Sequence, residues 1–261
     1  VRRLSEPPLA RLRAVLAEHV EKGAVPGYVA LVARGDEVFV DAAGVQELGG
    51  APMRRDTIFR ITSMTKPVTA VAAMTLVEES RLRLDDPVDP WLPELADRRV
   101  LTRIDGPLDD TVPADRPMTL RDLLTMRFGL GIVFGDPSDY PILQQIDELG
   151  LIGFGPPNPA APHDPDEWLR RLGTLPLMHQ PGERWLYNTG SYVLGALIAR
   201  VTGQPLEDVL RERIFEPLGM RDTSFFVPAE KLDRFASQYG HDDEGALTLY
   251  DPAGEGQWSR P

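Results

Sequence analysis

Thr57-Ile58-Phe59-Arg60-Ile61-Thr62-Ser63-Met64-Thr65-Lys66-Pro67 is the stretch on which the reading of this chain turns. Thr57 to Ile61 reads as a strand-like run, and the apolar periodicity from Val68 to Leu76 predicts a helix that starts close to Ser63. Pro67 agrees with that start, because a proline lacks an N–H and is tolerated only in the first helical turn. Residues three apart on a helix are neighbours, so the Lys66 amine is expected beside the Ser63 hydroxyl. A serine hydroxyl attacks a carbonyl only when a base takes its proton, and a lysine serves when desolvation or nearby charge leaves it partly neutral. The helix N-terminus adds free N–H groups and a positive dipole end for a developing oxyanion.

Four letters prove little, since roughly one chance S-x-x-K is expected in a chain of this length. A second segment raises the specificity. Trp185-Leu186-Tyr187-Asn188-Thr189-Gly190 ends a loop and opens the apolar helix Tyr192 to Ile198. A tyrosine hydroxyl beside a lysine has its pKa lowered and can share the proton work.

With these residues in place, the chain resembles the serine beta-lactamase-like family, which includes class C beta-lactamases, D-alanyl-D-alanine peptidases and related carboxylesterases. Phe59 to Lys66 resembles the family's nucleophile segment and Leu82 to Val88 the turn after its helix. Thr119 to Thr125 is similar to the next helix, Pro181 to Asn188 to the tyrosine segment, and Ile214 to Met220 to the helix end that follows. The resemblance implies Ser63 as nucleophile, Lys66 as its partner and Tyr187 as second acid/base. It implies an α/β (α+β) fold of the beta-lactamase/transpeptidase kind, with an antiparallel sheet flanked by helices and a mostly helical lobe. The expected organisation is a single catalytic domain over 1–261, with an N-terminal helix and sheet hairpin in 1–62 and a helical lobe in 63–261. No metal or organic cofactor is implied.

Three departures from the family pattern matter. Asn188 follows Tyr187 directly and Thr189 takes the position of the usual asparagine. Met126-Arg127-Phe128-Gly129 stands where many relatives read His-Thr-Ser-Gly, which suggests a more apolar mouth and tilts the expectation from lactams toward esters. A third motif, Lys-Thr-Gly or a His/Trp-x-Gly variant, is absent up to Pro261. The sequence is therefore read as an incomplete catalytic domain whose remaining sheet strands, and a second oxyanion donor, are expected from a complementary C-terminal segment. The leading functional expectation is a carboxylesterase working through an acyl-enzyme on a small-molecule ester. The alternatives are a beta-lactamase or D-alanyl-D-alanine peptidase, and a non-catalytic binding module that keeps the fold.

Composition sets outer bounds. The 261 residues carry 40 acidic and 28 basic side chains, a net charge of −12 that disfavours nucleic acid and anionic membranes as partners. With no cysteine in the sequence, disulfides and thiol catalysis are excluded. No stretch has the length and apolarity of a signal peptide or membrane span, so the cytoplasm is the default compartment; the oligomeric state is left open.

The remaining pattern is a helix over Leu9 to Val20, a hairpin of Tyr28 to Ala33 with Glu37 to Ala43 around Arg34-Gly35-Asp36, and a buried central helix with Ala70, Ala72 and Ala73. Irregular loops are expected over 105–117 and 150–165, a helix capped by Asp164 or Asp166, and another over Gln204 to Phe215. Ser191 lacks the glycines of a G-x-S-x-G elbow. Gly129-Leu130-Gly131-Ile132-Val133-Phe134-Gly135 misses the dinucleotide spacing by one residue. The four histidines, His19, His163, His179 and His241, do not cluster. His163 to Glu167 reads as a solvated loop and helix cap rather than a cation site. Trp185 reads as a packing anchor rather than a ligand platform.

Overall fold

The structure, a computed structural model, describes residues 4–151 and 163–256. Helix α1 (Glu6–Glu21) is followed by strands β1 (Gly27–Arg34) and β2 (Glu37–Gly44). A 3₁₀ turn at Thr62–Met64 leads into α2 (Thr65–Glu78), and the short strands β3 (Arg99–Leu101) and β4 (Thr111–Pro113) come next. Helices α3 (Leu120–Leu124), α4 (Pro141–Glu148), α5 (Pro165–Thr174), α6 (Thr189–Thr202) and α7 (Leu206–Leu210) precede strands β5 (Gln238–His241) and β6 (Leu247–Asp251). Among the described residues the strands form three antiparallel pairs, β1-β2, β3-β4 and β5-β6. The class is α+β, with antiparallel strands and a mostly helical region.

The chain forms two compact units, one of residues 1–61 with 224–261 and the other of 62–223. Residues from Ser224 onward fall in the same unit as the N-terminal hairpin.

In the first unit β1 and β2 pair from Gly27↔Gly44 to Arg34↔Glu37, and Gly35 makes the turn at φ +58°. Gly44 has φ +82°, and a Cβ there would lie 2.3 Å from the Pro26 carbonyl oxygen, so the position admits only glycine. Helix α1 lies against one face of the hairpin: Arg13 Nε donates to Asp41 Oδ1 at 3.0 Å, with the guanidinium 5.3 Å from the Phe39 ring centre. Tyr28 Oη donates to the same carboxylate at 2.5 Å, and burial together with that bond pushes the phenol up to about 12. Leu31 and Val38 remain exposed.

Thr57 to Ile61 is not a strand. It makes one parallel bridge, Ile58 with Phe235, in which Ile58 N–H donates to the Arg234 carbonyl and Ala236 N–H to the Ile58 carbonyl. Arg60 explains why the run stops there. Its side chain turns inward to a buried ion pair with Asp251, Nε to Oδ2 2.8 Å, and stacks 4.0 Å from the Phe235 ring centre. Burial lowers the Arg60 pKa against the pull of Asp251. Strands β5 and β6 were not foreseen, and Asp242 Oδ1 closes their turn by accepting from the N–H groups of Glu244 and Ala246.

The second unit is built on α6, which packs against α2, α3 and α7. Helix α2 buries Thr69, Ala72, Ala73 and Leu76, while Ala70 is only partly covered. The small residues allow this close approach. Helix α3 begins with a capping box, Thr119 with Asp122. Arg116 adds a bidentate pair to the buried Asp122 carboxylate at 2.6 and 2.9 Å. Burial raises the Asp122 pKa, but Arg116 and the Thr119 donors outweigh it and hold the group below the usual range.

Helix α5 is capped by Asp164, whose Oδ1 accepts from Glu167 N–H at 2.8 Å. Its far end is closed by the buried Arg98, whose guanidinium donates to the carbonyls of Leu172, Gly173 and Leu175. That cation takes up carbonyls that a helix end leaves unpaired. The helix expected over Gln204 to Phe215 is split: α7 stops at Leu210 and a π-helical turn, Arg211–Phe215, continues it. The loop expected over 105–117 contains β4, and most of the one expected over 150–165 lies outside the described residues.

Candidate active site

Ser63 sits in the 3₁₀ turn that opens α2, with Thr62 before it at φ +39°. Lys66 follows in the first turn of α2, beside Pro67. Lys66 Nζ donates to Ser63 Oγ at 3.0 Å, as the three-residue spacing predicts. Tyr187 Oη reaches the same oxygen at 2.9 Å from 124 residues away. Lys66 Nζ also lies 4.7 Å from the Tyr187 ring centre. The three predicted residues meet at one atom.

The backbone around Tyr187 explains how a loop residue is held so closely. Leu186 N–H donates to the Met126 carbonyl at 2.8 Å, and Ile132 N–H donates to the Tyr187 carbonyl at 3.0 Å. Ile132 and Tyr187 form an antiparallel bridge. Gly131 makes room for it, since a Cβ there would lie 2.7 Å from the Tyr187 carbonyl oxygen and 2.8 Å from Leu186 Cβ. Asn188, at φ +82° and ψ −62°, turns the chain into α6 while Thr189 N–H donates to the Tyr187 carbonyl at 3.2 Å. That i to i+2 bond makes a γ-turn with positive φ, a strained conformation for any residue but glycine.

Thr62, Met126 and Asn188 are three of the five described non-glycine residues with positive φ, and all three adjoin residues that form or hold this site. Strain concentrated at one place is the mark of a site whose geometry is imposed by its surroundings.

The Ser63 hydrogen bond is the largest influence on Tyr187 and lowers its pKa; Lys66 adds to this by hydrogen bonding and charge, against a smaller opposing effect of burial. The Tyr187 hydroxyl donates to Ser63 Oγ, and its surroundings make it a stronger acid than a free phenol.

Two expectations about the mouth, those for Phe128 and Trp185, are corrected. Phe128, read as an apolar rim residue, is 1% exposed and belongs to the core, leaving only the half-buried Met126 near the tyrosine segment. Left-handed Met126 turns the chain inward, which takes Phe128 under α6, where it lies 3.4 Å from an added Gly190 Cβ. Thr189, in the family's asparagine position, is fully buried, and its Oγ1 has no hydrogen-bond partner among the described residues. Trp185, read as a packing anchor, is 55% exposed and lies 5.7 Å ring to ring from Tyr187. Sequence reasoning missed Gly131 and the Met126 carbonyl as supports; the glycine pattern at 129–135 was the available signal.

Among the described residues no group of three or more His, Asp or Glu side chains is arranged to hold a metal ion. No described helix is long and apolar enough to cross a membrane.

A serine at a helix start is thus answered by a lysine one turn on and a tyrosine from a second helix start. A family model described as Beta-lactamase matches residues 12–258, and the chain belongs to that family. It is 40% identical to Esterase EstB of Burkholderia gladioli over 239 residues, 90% of this chain and 55% of that protein. Among solved structures it is similar to EstCE1, a hydrolase with promiscuous acyltransferase activity, with a TM-score of 0.77, 30% identity and coverage of 93% of this chain and 58% of that one. It is also similar to simvastatin synthase (LovD) from Aspergillus terreus, with a TM-score of 0.73, 25% identity and coverage of 95% and 61%. The chain thus spans between 55% and 61% of the length of these three relatives.

Proposed function

We propose that the protein is a serine hydrolase that cleaves small-molecule carboxylic esters through a covalent acyl-enzyme. The observation that carries this reading is the convergence of Lys66 Nζ and Tyr187 Oη on Ser63 Oγ at 3.0 and 2.9 Å. Ser63 is the nucleophile. As it attacks the carbonyl, its proton passes to the phenolate of Tyr187, whose anionic form the Lys66 ammonium stabilises. The oxyanion rests on the Ser63 N–H, and for the whole protein we assign a second donor to the family's third motif. Collapse of the tetrahedral intermediate breaks the C–O bond, and Tyr187 returns the proton to the departing alkoxide. Water then attacks the acyl-enzyme by the same path in reverse.

Relatives named esterase favour water as the acyl acceptor. A second reading, transfer of the acyl group to an alcohol, is favoured by the acyltransferase activity stated for EstCE1. Both share the acylation step. Labelling with a fluorophosphonate, followed by intact mass and peptide mapping, tests it: label on Ser63, lost in Ser63→Ala, is expected. Unlabelled Ser63, or ester turnover that survives Ser63→Ala, would sink the assignment.

A further inference from the structure

Four tryptophans occur in the sequence, and two of them sit in contrasting settings. Trp168 is a packing residue: it lies against the core and its Nε1 donates to the Leu151 carbonyl at 2.8 Å. Trp185 does none of this. It is more than half exposed, and its indole N–H has no hydrogen-bond partner among the described residues. Yet its backbone is not loose, because Leu186 beside it is buried and bonded to Met126. Successive residues of an extended segment point to opposite sides, so burying Leu186 sends Trp185 and Tyr187 to the same side. Their rings lie 5.7 Å apart with planes inclined at 34°, forming one aromatic surface that begins at the Ser63 hydroxyl.

An indole that the described residues leave uncovered offers a broad apolar face, and aromatic surfaces held rigid beside reactive groups are efficient binding platforms. We infer that Trp185 is a specificity-determining residue that binds the alcohol portion of the ester, and that it selects aromatic or other broad apolar leaving groups. This rests on the acyl-enzyme reading above. The side of the substrate follows from the chemistry: Tyr187 donates its proton to the leaving oxygen, so the alcohol departs alongside Tyr187, and the ring next to Tyr187 is Trp185. The acyl chain, attached to the other side of the carbonyl, is left to other surfaces.

Acetate esters of methanol, phenol and 2-naphthol share one acyl-enzyme, so differences among their kcat/KM values report acylation and hence the alcohol. In Trp185→Ala the ratio of kcat/KM for the naphthyl ester to that for the methyl ester is expected to fall about three- to tenfold, the range of one aromatic contact. Trp185→Phe is expected to restore most of that ratio. A uniform loss across all three esters, meaning that Trp185 only steadies Tyr187, overturns the inference. So does a loss that tracks acyl length in a phenyl acetate to phenyl octanoate series. Binding of 2-naphthyl acetate to Ser63→Ala, with and without Trp185→Ala, gives a readout that needs no turnover: a three- to tenfold rise in Kd supports the inference, and an unchanged Kd overturns it. Failure of Ser63 labelling in the wild-type protein would mark failure of the acyl-enzyme reading instead.

Discussion

Replacing Tyr187 with phenylalanine removes one oxygen and little else. The ring keeps its place 5.7 Å from Trp185 and 4.7 Å from Lys66 Nζ, and the backbone bonds from Ile132 and to Met126 do not involve the hydroxyl. The lost hydrogen bond, 2.9 Å to Ser63 Oγ, lies at an exposed site, so the fold should lose under about 1 kcal/mol. Catalysis should lose far more. A positioned acid or base contributes about 10²–10⁴ in rate, and at 1.36 kcal/mol per decade that is about 2.7–5.4 kcal/mol of transition-state stabilisation. The expected result is therefore a fall of at least about a hundredfold in kcat/KM for phenyl acetate, with thermal unfolding nearly unchanged.

The pH profile provides a second check. The bond to Ser63 and the influence of Lys66 hold Tyr187 below the ordinary phenol value of 10.0. If the phenolate is the base, kcat/KM rises with pH along a limb centred below 10, and the limb vanishes in Tyr187→Phe. A depressed pKa adds stability that is fully present above the unfolded value of 10.0 and is lost as pH falls through the folded one. Activity and the Tyr187 contribution to stability therefore both rise with pH, and unfolding followed over the same pH range separates the two. A loss smaller than tenfold with the limb intact would refute the acid/base role of Tyr187.

Gly131→Ala places a Cβ against the backbone of Leu186 and Tyr187, and the displaced tyrosine should cost about 10² in kcat for an ester; turnover near the wild-type value would show that the segment tolerates the shift. Asn188→Gly relieves a γ-turn worth about 1–3 kcal/mol of strain against about 0.5–1 kcal/mol of added chain entropy. Urea unfolding should therefore show equal or greater stability, and a loss beyond about 1 kcal/mol would contradict the strain argument. Asp251→Asn leaves the Arg60 cation buried without its anion, at a cost of about 3–5 kcal/mol by the same unfolding measurement; a cost below about 1 kcal/mol would mean that the pair is effectively solvated.

The parts of the fold that the sequence disclosed are those with long periods. Helices α1, α2 and α6 run 14 or 16 residues, enough for a 3.6-residue repeat to stand out, and the Arg34-Gly35-Asp36 turn marked the first hairpin. Strands of three to five residues, such as β3 to β6, are too short to display alternation, and Gly240 and Pro113 weaken even that. The strand-like run at 57–61 misled because Arg60 is spent on Asp251, 191 residues away, a partner that no local pattern reveals.

At the site the contrast is sharper. Ser63 and Lys66 were legible because one helical turn fixes their spacing, and Tyr187 because its segment resembles the family's. What aligns them is backbone: the Met126 carbonyl, the bare Cα of Gly131 and the γ-turn at Asn188, none of which leaves a side-chain signature. Phe128 and Trp185 exchanged their expected places for the same reason. Residue type suggested an exposed Phe and a buried Trp, but left-handed Met126 sends one inward and the buried Leu186 sends the other out. Tyr187, the proposed acid/base residue, and Trp185, the proposed aromatic platform, therefore ride on a single segment, clamped by 126 and 132. A change in either clamp should move both together, altering leaving-group preference and turnover in the same variant, whereas Trp185→Ala alters preference and Tyr187→Phe turnover.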